Sequence, residues 1–182
     1  MLKTFLSADA YIEDCWRLAD IVFTSGWKAD VMIALWRGGA PVGVAMHEYF
    51  KVAGWNVRHT AIKCTSYTAI GENAGEVSFE YADEVLSSLK KGEKVLIVDD
   101  VFDTGKTALA VKTRLSEMGV DFRIATVYYK PEKNLTDIKP DYFVKDVSKA
   151  WMVFPHEIEG LTREEILFKN PVLAGLINAH RV

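Results

Sequence analysis

A chain of 182 residues with 49% apolar and 26% charged side chains can bury one hydrophobic core and is too apolar for a disordered or fibrous protein. A net charge of −3 without a basic block argues against nucleic-acid binding, and no stretch approaches the roughly 20 apolar residues of a membrane helix. Two widely spaced cysteines, Cys15 and Cys64, and an N-terminus without an apolar leader lead to the expectation of a cytoplasmic protein with idle thiols and neither nucleic-acid nor membrane partners.

Ser7 is placed to cap a helix over 8–24, in which Ile12, Cys15, Trp16, Ala19, Val22 and Phe23 share one face. The apolar run VMIALW, 31–36, predicts a buried parallel strand, and the glycines of WRGGAPVG lead into a helix ending near Gly54. A second strand is expected over 57–64. Residues 68–77 hold glycines and no apolar period and predict a loop, whereas 77–89 reads as either strand or helix. The next strand covers 94–98. Ala108, Val111, Leu115 and Met118 then line one helix face, which Gly119 can terminate. Strands are expected at 122–129 and 141–147, followed after Pro155 by two short helices broken at Pro171.

Strands alternating with helices imply right-handed βαβ units and hence an α/β fold, a mostly parallel twisted sheet flanked by helices. Ligands of such sheets bind beyond the carboxyl ends of the strands, which places Arg37–Gly39, Asp99–Thr107 and Lys130 along one rim. Residues 1–160 are expected to form the domain, with 161–182 a helical appendage of it.

The densest chemistry lies in VLIVDDVFDTGKT, 95–107. Its Gly-Lys-Thr resembles the end of a Walker A loop, but that motif needs a glycine five residues before its Gly-Lys pair, and here Asp100 stands there. A carboxylate at that place repels a triphosphate. What remains is a strand ending at Asp99-Asp100 and a loop, Thr104 to Thr107, that opens a helix whose exposed amides suit a single phosphate. Vicinal hydroxyls can donate to the paired acids, so a sugar phosphate such as ribose 5-phosphate fits.

VLIVDDVFDTGKT resembles the signature of the type I phosphoribosyltransferases, which bind 5-phosphoribosyl 1-pyrophosphate (PRPP). The resemblance implies their fold, including a small hood or lid and here a short helical tail. It implies ribose binding by Asp99 and Asp100, 5-phosphate binding by Asp103, Thr104, Gly105, Lys106 and Thr107, and Asp103 as general base. WRGG is similar to the family's pyrophosphate loop, implying Arg37, Gly38 and Gly39 as pyrophosphate ligands, with a peptide bond at Arg37–Gly38 that can be cis in relatives. Ser66-Tyr67 resembles the lid pair. Lys130 in YYKP is similar to the lysine with which 6-oxopurine enzymes bind purine O6, and AWMVFPHE resembles the segment that stacks on the base, implying Trp151, Met152 and Val153. Mg²⁺ is implied as cofactor, with Asp99, Asp100 and Glu157 as candidate ligands, and a homodimer or homotetramer as the assembly.

The activity expected is transfer of the phosphoribosyl group from PRPP to hypoxanthine, guanine or xanthine. The competing readings are a non-catalytic PRPP-binding regulator of the same fold, a transferase for orotate or adenine, and an unrelated ATPase. Lys130 and Trp151 disfavour the second, and Asp100 the third.

Overall fold

A computed structural model describes residues 3–66, 77–80, 82–147 and 151–179. The chain divides into two units, residues 12–149 and residues 1–11 together with 150–182. The expected loop at 68–77 falls outside the described residues up to 76.

Within residues 12–149, strands β2 (Val31–Trp36), β3 (Arg58–Ser66), β4 (Val77–Glu80), β5 (Lys94–Phe102), β6 (Asp121–Tyr129) and β7 (Tyr142–Asp146) form one sheet. Their order is β4-β3-β2-β5-β6-β7, parallel throughout except that β4 runs antiparallel to β3. The strands at the centre are the apolar runs of the sequence, since a sheet covered on both faces leaves no position for an alternating polar residue. On one face Ile33, Leu35, Val95, Ile97 and Ile124 pack with Leu86 of α3 (Ala82–Ser87) and with Val111 and Leu115 of α4 (Lys106–Glu117). On the other lies α2 (Gly39–Val52), whose Gly43 approaches Ala34 and Val98 so closely that an added Cβ would lie 3.0 Å from Ala34. Helix α1 (Ala8–Thr24) is tied to the sheet by buried Asp14, which accepts hydrogen bonds from Tyr128 on β6 at 2.8 Å and Lys145 on β7 at 2.7 Å.

Three expectations change in detail. Strand β5 continues past Val98 to Phe102, because the ladder with β6 persists through Asp99↔Thr126, Val101↔Tyr128 and Phe102↔Tyr129. Backbone pairing does not require apolar side chains, so the end of the apolar run is not the end of the strand. The ambiguous segment 77–89 resolves into both readings, an edge strand followed by a short helix. Helix α2 starts at Gly39, before Pro41, and its end is followed by Gly54 at φ +77°, as the terminator role requires.

The other unit holds β1 (Lys3–Phe5), β8 (Trp151–Val153), α5 (Arg163–Lys169) and α6 (Pro171–Ala179). β1 and β8 pair in parallel, Lys3↔Trp151 to Phe5↔Val153, and are too short to show a period in the sequence. Thr162 and Glu165 close a capping box at the start of α5, and Lys3 pairs with Glu165 at 2.8 Å. Lys169 donates to the carbonyls of Phe154 and Glu157. The segment 151–160 thus groups with the tail and with β1, a division different from the boundary expected at 160.

At the amino ends of β2 and β3 the rings of His47 and His59 stand 4.0 Å apart. Burial, then the positive surroundings of His59 and Lys51, hold His47 below its ordinary value of 6.5, with Glu48 opposing. Below pH 6.5 the unfolded chain therefore takes up a proton that the folded chain resists. Stability contributed by neutral His47 is complete above that pH and declines as the pH falls through the window beneath it. His47→Gln is expected to flatten the fall in Tm between about pH 6.5 and 5. Parallel Tm–pH curves for the two proteins would contradict this.

Candidate active site

The carboxyl rim is built where β2, β5 and β6 end. β2 delivers the turn Arg37–Gly39, and the peptide bond Trp36–Arg37 is cis. This is one bond earlier than Arg37–Gly38, the bond that the family resemblance implies can be cis. The glycines permit a close approach to β5. A β-carbon on Gly38 would fall on the Asp100 carboxylate, and one on Gly39 would fall on the Val98 carbonyl oxygen. The turn and the acidic pair are therefore one structure.

Asp99 and Asp100 lie in the carboxyl half of β5, with Asp100 buried. Burial, and next the neighbouring Asp100 charge, push Asp99 well above the usual carboxylate range, although the Asp100 N–H donates to Asp99 Oδ1 at 3.0 Å. Cys64 lies beside this pair; burial and then Asp99 push its thiol up to about 12. Neither cysteine forms a disulfide; Cys15 is buried and Cys64 half-buried, and Cys64 is held as the unreactive thiol.

The loop 103–105 turns the chain from β5 into α4. Gly105 sits at φ +79°, a conformation that L side chains rarely adopt, and its amide neighbourhood opens at the N-terminus of α4. The Leu109 N–H donates to the Gly105 carbonyl at 2.8 Å, so the helix begins directly at the loop. Thr104 and Lys106 are exposed and Thr107 half-buried at this opening.

Asp103 and Lys130 meet. Lys130, 6% exposed, reaches Asp103 Oδ2 at 3.0 Å, and Lys133 approaches the same oxygen at 3.8 Å. The register of β5 against β6 creates the pair, with the Lys130 N–H donating to the Phe102 carbonyl at 2.9 Å.

Two residues of the rim were not legible beforehand. Asn134 donates to the Ile138 carbonyl at 2.7 Å and accepts from Thr136 N–H and Oγ1 at 2.9 and 2.8 Å. This knot backs the loop, for the Leu135 N–H donates to the Thr104 carbonyl at 3.0 Å and a β-carbon on Gly105 would collide with Thr136 Oγ1. The polar turn chemistry of Asn134-x-Thr136 was the available signal. Of the remaining expected residues, Ser66 ends β3, its backbone paired with Val77, and Tyr67 lies outside the described residues. Trp151, Met152, Val153 and Glu157 belong to the other unit. There Trp151 is 50% exposed on β8, Met152 and Val153 are buried, and Glu157 accepts the Phe154 N–H at 3.1 Å.

A parallel sheet whose carboxyl rim carries paired acids beside an open helix N-terminus is the build of an α/β protein for phosphorylated ligands. The family model described as "Phosphoribosyl transferase domain" matches residues 2–159, and the chain belongs to that family. It is 28% identical over 141 residues to the hypoxanthine-guanine phosphoribosyltransferase of Lactococcus lactis subsp. lactis (strain IL1403), covering 77% of this chain and 74% of the relative. The structure of a purine phosphoribosyltransferase from Pyrococcus horikoshii Ot3 is 26% identical with a TM-score of 0.66, over 89% of this chain and 98% of the other. A Neisseria gonorrhoeae protein with bound ppGpp shares the fold at 19% identity and a TM-score of 0.72, over 100% of this chain and 99% of the other. Among the described residues no helix is long and apolar enough to cross a membrane.

Proposed function

We propose that this chain is a purine salvage enzyme that transfers the phosphoribosyl group of PRPP to a 6-oxopurine, giving a nucleoside monophosphate and pyrophosphate. The supporting observation is the Lys130–Asp103 pair, a donor and an acceptor 3.0 Å apart. O6 and N7 lie side by side on one edge of a 6-oxopurine. With the proton on N7, that edge offers an acceptor to Lys130 and a donor to Asp103. Adenine presents an amino group where O6 would be, setting a donor against an ammonium, and is disfavoured. The names of the Lactococcus and Pyrococcus relatives agree with this reading.

In the proposed mechanism the 5-phosphate is anchored by residues 103–107, so binding energy remote from the reacting carbon positions it. Arg37 and the amides of Gly38 and Gly39 hold the pyrophosphate, a charge-matched fork beside exposed backbone donors. Its departure leaves positive charge on ribose C1 and O4, which the acids beside the hydroxyls stabilise. Asp103 accepts the N7 proton as the new bond forms. Ser66 and Tyr67 are proposed as the lid that excludes water. Trp151, Met152 and Val153 are proposed, on sequence resemblance, to bind the base.

The two adjacent carboxylates, Asp99 and Asp100 at the end of β5, offer the oxygen donors that fit a hard divalent cation. Asp99 and Asp100 would hold Mg²⁺, with Glu157 a further candidate, and the ion would supply charge neutralisation at the diphosphate. A homodimer or homotetramer in the cytoplasm completes the proposal.

The test is PRPP-dependent pyrophosphate release with hypoxanthine, guanine, xanthine, adenine and orotate in parallel, with Mg²⁺ and with chelator. Release with at least one 6-oxopurine, abolished by chelator, is expected. PRPP binding without turnover would favour the regulator, and turnover confined to adenine or orotate would overturn the base assignment. Gly105→Ala tests the cup. An alanine held in the left-handed region costs about 1–2 kcal/mol, and its methyl meets Thr136 and Asn134, so KM for PRPP is expected to rise about 5–30-fold. An unchanged KM would remove the loop from the phosphate site.

A further inference from the structure

Beneath the loop, between the sheet and the start of α4, lies a cavity of about 90 Å³. Its walls are mostly apolar, with Leu35, Ile97, Phe102 and Ile124 among them. Two buried polar atoms without a hydrogen-bond partner among the described residues belong to residues that line it, Thr126 Oγ1 and Asp103 Oδ1. Thr126 is 1% exposed and is the direct cross-strand neighbour of Asp99, which lines the same space. An idle buried hydroxyl costs free energy that a valine of the same shape would avoid. Two such atoms on residues that line one cavity call for a shared partner. The space holds a few water molecules, since each needs roughly 10–15 Å³ by this kind of measure.

We infer that Thr126 is a positioning residue for Asp103, acting through water in this cavity. The hydrogen bonds balance. Thr126 Oγ1 donates to a water, which in turn donates to Asp103 Oδ1 and to a carboxylate oxygen of Asp99. Lys130 holds Oδ2 of Asp103 from the rim while the water holds Oδ1 from beneath. The carboxylate is thereby fixed in the plane in which Oδ2 meets the purine N7 proton. This rests on the proposed transferase reading and adds to it a residue from the middle of β6 that is not among the proposed substrate ligands.

The experiment compares Thr126→Val, Thr126→Ala and Thr126→Ser with the wild-type protein and with Asp103→Asn. Valine and alanine are expected to lower kcat about tenfold, with KM for PRPP within about threefold, because the lost group supports a proton transfer worth about 10²–10⁴-fold. Serine restores most of the rate. The Tm of Thr126→Val falls by only a few degrees, since one water-mediated hydrogen bond worth about 1 kcal/mol is lost while the methyl keeps the packing. In the Asp103→Asn background Thr126→Val costs little further rate, because both substitutions remove one function. Wild-type kcat in Thr126→Val, or a full tenfold loss that persists in the Asp103→Asn background, overturns the inference while leaving the transferase reading intact. Absence of turnover by the wild-type protein with every 6-oxopurine overturns that reading and this inference with it.

Discussion

Asp103→Asn is expected to lower kcat by about 10²–10⁴-fold, the usual worth of a positioned general base, while PRPP binds within about threefold of wild type. The substitution keeps the shape of the side chain and an oxygen that can accept from Lys130. It removes the capacity to take the N7 proton. Asp103 pairs with Lys130 and, unlike Asp99 and Asp100, is not proposed as a ribose ligand, so its loss should act on chemistry more than on the sugar. Lys130, 6% exposed, loses its counter-charge but keeps the asparagine oxygen as acceptor, so a fall in Tm beyond that of a surface pair is expected alongside the kinetic effect. Single-turnover rates with bound PRPP measured separately give the clean comparison. Near-wild-type turnover would assign the base role elsewhere, and lost PRPP binding would make Asp103 a phosphate ligand first.

Lys130→Gln should act on the base and not on the sugar. A hydrogen bond to a charged donor contributes about 1.5–3 kcal/mol, so kcat/KM for a 6-oxopurine is expected to fall about 10–150-fold. Discrimination against adenine should shrink at the same time, because a glutamine amide can accept from an amino group as well as donate to an oxygen. Lys130 is 6% exposed and Lys133 lies 3.8 Å from Asp103, so the acid keeps one cation after the substitution and the loop keeps its charge balance. The ratio of kcat/KM for hypoxanthine to that for adenine is the deciding measurement. An unchanged ratio would make Lys130 a structural partner of Asp103 and nothing more.

Much of the fold was readable. Helix α1 spans the predicted 8–24, Gly119 closes α4 at φ +67°, and the apolar runs at 31–36 and 94–98 are central strands. These features depend on consecutive residues and on backbone chemistry, which a single sequence carries. β5 runs beyond its apolar segment because its last residues are paired by backbone bonds, and β1 and β8 leave no sequence signal because a strand of three residues has no period. Asn134 and Thr136 leave none either, because a polar turn reads alike whether or not it supports a loop at the rim.

By itself the sequence determined the loop and the acid pair of VLIVDDVFDTGKT, since Thr104 to Thr107 and Asp99-Asp100 are neighbours along the chain and their local geometry follows from a strand running through a glycine turn into a helix. The tertiary structure alone decided what those residues face. Asp103 meets Lys130, 27 residues away, because β5 and β6 pair Phe102 with Tyr129. Asp100 lies against Gly38 because β2 and β5 are paired neighbours in the sheet, and a β-carbon on Gly38 would take the place of the Asp100 carboxylate. Thr126 faces the same cavity as Asp99 for the same reason, a cross-strand register in which a slip of one residue would turn each side chain to the opposite face.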